Sequence, residues 1–176
     1  MKHPGLLVMV GATVCAAACT EDSEPPAPVH DEALCKVAAS YALASTSAGT
    51  VGVAGGGHPT VSVPLDAGPP RDVLFFKLIS GAGVFAGGLR TGTFSLSGVD
   101  AGFTTCGLCV NVVADIVAGQ GPTKFYQATA GEVTLTSVTS PYAGSVSNLV
   151  FAEVDGNGAP VPGCTTKVTT ASFTAP

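Results

Sequence analysis

Charge is the first thing this 176-residue chain lacks: Asp, Glu, Lys and Arg together make up 11% of it, against roughly a quarter in an average globular protein. So thin a supply of Glu and Lys leaves little material for amphipathic helices, and no ten-residue helical crossover is available to build a parallel α/β sheet. Seven Lys and Arg, with a formal net charge of −5, give no basic patch for nucleic acid or for an anionic membrane surface. Tryptophan is absent and aromatics are only 6%. A sugar-binding aromatic platform would therefore need Tyr41, Tyr126 or Tyr142. Histidine is nearly absent too. His3 and His30 lie near the N-terminus, and His58 stands alone in a glycine-rich turn beside Pro59. A His-based triad or histidine metal site would have to use His58 alone, which reads instead as a surface-loop residue; no Gly-x-Ser-x-Gly elbow appears, and the glycines of 81–88 lack any P-loop or Rossmann context. We expect no catalytic residue, no metal and no cofactor.

Gly, Ala, Val, Thr and Ser fill the gap. From Ala33 onward, short β-like runs alternate with Gly, Pro and Asp. Candidate strands are Val37–Thr46, Val51–Ala54, Thr60–Leu65, Val73–Ser80, Gly92–Ser97, Cys109–Ala118, Lys124–Thr129, Glu132–Val138, Val146–Asp155 and Thr165–Thr174. Val73–Ser80 is apolar on both faces, with Val73, Phe75 and Lys77 on one side and Leu74, Phe76 and Leu78 on the other, which reads as a central strand. Ala130-Gly131 reads as a hairpin turn and Asp155-Gly156-Asn157-Gly158 as another. Ala33–Ala44 is the one stretch where helix competes with strand. The expected fold is all-β: an antiparallel sandwich, Ig-like or jelly-roll-like, of about eight to ten short strands, with a small β-barrel as the alternative.

The N-terminus has its own logic. Lys2 precedes an apolar run from Leu6 to about Ala18, too short for the ~20 residues that span a bilayer. A basic start, a short apolar stretch and a small-residue exit read as a secretory signal peptide. Ala16-Ala17-Ala18-Cys19 resembles the lipobox of bacterial lipoproteins, with Ala16 where that family prefers Leu. Cys15 is the competing position, but Val14 before it is β-branched. The resemblance implies cleavage before Cys19, acylation of its thiol and usually of the new amino terminus, and membrane lipid as a partner. It also implies an address in the cell envelope, and Thr20, not being Asp, fits outer-membrane delivery. The alternative is an ordinary signal peptide cleaved near Ala18 that leaves Cys19 as a free thiol. Residues 1–18 thus form the signal and 19–32 an acidic, proline-rich tether. Residues 33–176 form a single domain.

Four cysteines fall in that domain: Cys35, Cys106, Cys109 and Cys164. An even number in an exported chain points to two disulfides. Of the three pairings, Cys106–Cys109 with Cys35–Cys164 is favoured, although sequence alone does not choose. Cys106-Gly107-Leu108-Cys109 is also the spacing of a redox pair, but strand-forming residues follow it and no Lys, Arg or His lies within ten residues on either side. A four-cysteine zinc site would usually take two such knuckles. Among the acids, Glu132 alternates with exposed threonines and reads as solvated, whereas Glu153 sits in an apolar run and should be paired with a base such as Lys77 or Arg90. Asp155-Gly156-Asn157-Gly158 lacks the later ligands of a calcium loop. The sequence therefore points to an anchored envelope lipoprotein whose β domain has a structural role or binds a ligand, an envelope protein or a glycan. Thiol–disulfide exchange through the Cys-x-x-Cys pair is the enzymatic alternative.

Overall fold

The computed structural model describes residues 30–176. The signal-like segment, the lipobox-like stretch with Cys19 and most of the tether lie outside those residues. His30 Nε2 lies 2.8 Å from the Val37 carbonyl, and the Asp31 side chain accepts from Leu34 N–H to cap a one-turn helix, α1 (Glu32–Cys35), which ends at Lys36 in the left-handed region. The helix–strand competition at 33–44 is thus divided between them, because Lys36 stops the helix and β1 starts at Ser40.

Nine strands follow: β1 (Ser40–Ala48), β2 (Thr50–Ala54), β3 (His58–Pro64), β4 (Arg71–Leu78), β5 (Gly92–Ser95), β6 (Leu108–Ile116), β7 (Lys124–Ser137), β8 (Tyr142–Val154) and β9 (Pro160–Ala175). The all-β class holds. The strands lie in one mixed sheet, ordered β1-β9-β8-β7-β6-β4-β3-β2 with β5 on β7, curled into a half-barrel rather than split into two stacked antiparallel layers. One pair, β1 with β9, is parallel. The whole fold separates those two strands in sequence, so no tight turn forces them to oppose.

Curling brings the two edges of the sheet together. β1 and β2 stand at opposite ends of the strand order, yet only Gly49 separates them in sequence. Gly49 N–H donates to the Thr174 carbonyl of β9 at 2.8 Å. A Cβ there would sit 3.1 Å from Ala175 Cβ and 3.2 Å from the Ser62 carbonyl of β3. Inside the curl, Phe76 of β4 meets Phe173 of β9 with ring centroids 4.8 Å apart. Leu74, Leu78, Val110, Val112, Tyr126, Phe151 and Val168 complete a fully buried interior.

Ala130-Gly131 is not a hairpin turn. β7 runs through it as one 14-residue strand, and the register against β8 slips between Ala128, Ala130 and Glu132. Gly131 has φ 110°, and a Cβ on it would fall 2.5 Å from the Asn148 carbonyl. The residue pair that suits a turn suits a bulge equally well.

Two disulfides close the domain in the favoured pairing. Cys35–Cys164 ties α1 to β9 across 129 positions, and Cys106–Cys109 staples the entry to β6.

Candidate functional site: an apolar groove on the outer face of the sheet

β4 and β6 are apolar on both faces, and only one face can line the interior. Leu74, Phe76 and Leu78 point inward with Val110, Val112 and Ala114. Alternation sends Val73, Phe75 and Lys77 outward with Cys109, Asn111 and Val113. Strand register lays these outward residues in rows across the sheet. Val73 is opposite Val113, which is opposite Phe125. Ser62, Phe75, Asn111 and Gln127 form the next row, and Thr60, Lys77 and Cys109 the one after.

Loops wall this floor. Ile116 and Pro122 border one end, Ile79, Phe103 and Thr104 the other, and Ala54 of β2 lies along the side, enclosing about 780 Å³. That volume lies within the range of small-molecule sites, which are mostly apolar with a few placed polar groups. The Phe103 wall is held firmly. A Cβ at Gly158 would lie 2.5 Å from the Phe103 ring, which packs on the β8–β9 turn. The Thr105 hydroxyl donates to the Val99 carbonyl at 2.7 Å. The buried Asp100 carboxylate accepts from Val84 N–H at 3.1 Å, Gly107 N–H at 2.8 Å and Leu108 N–H at 3.1 Å.

The polar groups of the groove are few and poorly satisfied. Asn111 Oδ1 and both amide atoms of Gln127 are buried without a hydrogen-bond partner among the described residues, and Gln127 is 3% exposed. Lys77 is the one cation on the floor, and no carboxylate lines the groove. Glu153, expected beside Lys77 or Arg90, pairs instead with Lys124 at 2.9 Å. Its neighbour across the ladder is Tyr126 of β7, which brings the start of that strand within reach. Lys77 is thereby left without an ion pair among the described residues.

The other sequence candidates sit elsewhere. Cys106 and Cys109 are 1% and 5% exposed. No base lies within ten residues of the pair in sequence, but the fold brings Lys77 directly opposite Cys109 in the β4–β6 ladder. Glu132 is exposed, as read. His58 opens β3 opposite Ala54. Asp155 accepts from Asn157 N–H at 2.8 Å and Ala159 N–H at 2.9 Å, and these backbone donors hold its carboxyl below the usual range. It is a turn residue. The tyrosines form no platform. Tyr126 is buried with its hydroxyl donating to the Cys35 carbonyl, and burial, then the charges of Glu153 and Asp72, push its phenol up. Tyr41 donates to Asp72 and accepts from Ala38 N–H. Burial first, then the Asp72 hydrogen bond, raises the Tyr41 phenol. Burial also raises the Asp72 carboxyl, against the lowering effect of its hydrogen bonds from Tyr41 and Asp115. Although Glu32, Asp66 and Asp115 line a small cleft with Asp72, no group of three acids, cysteines or histidines among the described residues is placed to hold a metal ion.

Periodicity revealed the double-sided character of β4. It gave no signal for Gln127, a buried residue that joins the outer-face row beside the groove through its register against Asn111. Comparison with protein-family models, with curated proteins and with solved structures finds no match for this chain.

Proposed function

We propose that this chain is an exported envelope protein, anchored to membrane lipid through acylated Cys19, whose β domain binds a small ligand with an apolar body on the outer face of β3, β4, β6 and β7. The observation that carries the binding role is the groove. A sheet whose inner face already fills the core has no structural use for a second apolar surface of this size, and an open concavity of that kind is what ligand sites look like. The anchor rests on Ala16-Ala17-Ala18-Cys19 and on the acidic, proline-rich segment after it, which suits a spacer between lipid and domain. Outer-membrane placement follows the same lipoprotein resemblance.

Two measurements test the reading. Intact mass of the membrane-extracted protein should give a chain starting at Cys19 with added acyl mass, and a bare chain sinks the anchor. An environment-sensitive naphthalene dye should brighten on binding the full chain, and Phe75→Gln should weaken that binding at unchanged melting temperature. An equal response from the variant rules out the groove.

A second reading, thiol–disulfide exchange, is favoured by one observation: Lys77 across from Cys109 would stabilise a thiolate formed on reduction. The near-complete burial of both sulfurs opposes it, since exchange needs access. Alkylation without prior reduction separates the two. A permanent disulfide adds no label, whereas labelling of Cys106 and Cys109 in a large fraction of molecules favours exchange.

A further inference from the structure

Resting on the groove reading above, we infer that the ligand class is an aliphatic monocarboxylate: an amphiphile whose chain lies over the Val73–Val113–Phe125 row and whose head reaches Lys77. The floor is graded. Its first row is wholly apolar and is continued by Ile116 and Pro122; the second mixes Phe75 with Ser62, Asn111 and Gln127; the third carries Thr60 and the Lys77 ammonium. Lys77 lies four positions beyond Val73 on β4, about 13 Å at the rise of a strand. A ligand that follows β4 therefore needs an extended apolar part with one polar end.

Charge fixes the sign of that end. Lys77 is the one cation lining the groove, the floor holds no acid to answer it, and Glu153, the partner expected from sequence, is engaged by Lys124. A cation that becomes enclosed by ligand costs free energy unless a counter-charge arrives with it. A carboxylate brings that charge, and a neutral head does not. Asn111, which lines the groove one row away from Lys77, carries in its Nδ2 a second donor toward an incoming anion.

The test is competition for the bound dye by two ligands of equal chain length, decanoate and decanol, on the full chain. Decanoate should displace the dye about tenfold more effectively, the scale expected for a charge-assisted contact. Lys77→Met should remove that preference while leaving decanol binding intact, and Lys77→Arg should retain it. Equal displacement by the two ligands, or a preference that survives in Lys77→Met, overturns the carboxylate assignment and leaves the groove as a site for neutral apolar ligands. Failure of the dye to bind at all removes the groove reading itself. If Lys77→Met melts early, Lys77→Gln takes its place with the same expectation. Dye binding that appears only after the acyl chains of Cys19 are removed would make the protein's own anchor the occupant and refute a free carboxylate.

Discussion

Replacing Tyr126 by Phe removes one oxygen from the most enclosed tyrosine of the domain. Tyr126 sits on β7 with no solvent exposure. Its hydroxyl donates to the carbonyl of Cys35, 91 positions away, at the disulfide that ties α1 to β9. Phenylalanine keeps the ring and its packing but leaves that carbonyl without its donor. A buried polar group stranded in this way costs about 1–3 kcal/mol, equivalent to roughly 2–12 °C in melting temperature for a domain of this size. The same substitution has a pH signature. Burial raises the phenols of Tyr41 and Tyr126 above their ordinary value of 10.0. Above that pH the unfolded chain has released these protons and the folded domain still holds them. Stability is therefore fully present below pH 10 and falls as pH rises through it. Each such tyrosine contributes a slope of about 1.4 kcal/mol per pH unit, so Tyr126→Phe should halve the tyrosine part of the alkaline slope. Urea titrations of both proteins from pH 8 to 11.5 give both quantities, and their difference cancels the other titrating groups. Equal midpoints at neutral pH together with parallel alkaline profiles would refute the assignment of Tyr126 as a buried donor.

Replacing both Cys35 and Cys164 by Ser should cost on the order of 4–5 kcal/mol, because the bridge closes a loop of well over a hundred residues; a midpoint shift equivalent to under 1 kcal/mol would contradict this. Asp100→Ala strands the three N–H groups of Val84, Gly107 and Leu108 and should destabilise the domain by about 3 kcal/mol or more. Its Phe103–Thr104 wall should loosen first, seen as faster amide exchange at 103–107 than in β8; uniform exchange would argue against local anchoring.

How much of this was legible in the sequence depended on the range of the signal. The two faces of β4 were readable because alternation is local: Phe75 and Phe76 differ by one step and so by one face. The turn at Asp155 was readable because short side-chain-to-backbone bonds define it. Ala130-Gly131 misled for the same reason, since a turn and a bulge want the same residues and only the distant Asn148 decides between them. The partner of Glu153 was missed because Lys124 joins it through ladder register, and Lys77, the expected partner, instead lies opposite Cys109. The groove floor was half visible. Val73, Phe75 and Lys77 were placed together, whereas Asn111 joined them only once β4 and β6 were aligned. Curling of one sheet rather than stacking of two rests on the meeting of β9 and β3 at Gly49, a contact that no local pattern encodes.

Backbone amide chemical-shift mapping of the full chain titrated with decanoate tests the central claim most directly. The account predicts saturable shifts concentrated at Val73–Lys77, Cys109–Val113 and Phe125–Gln127, with Thr46–Ala48 and Ser145–Val150 unmoved. Shifts absent from the outer face of β4 and β6, or scattered evenly over the domain, would contradict it.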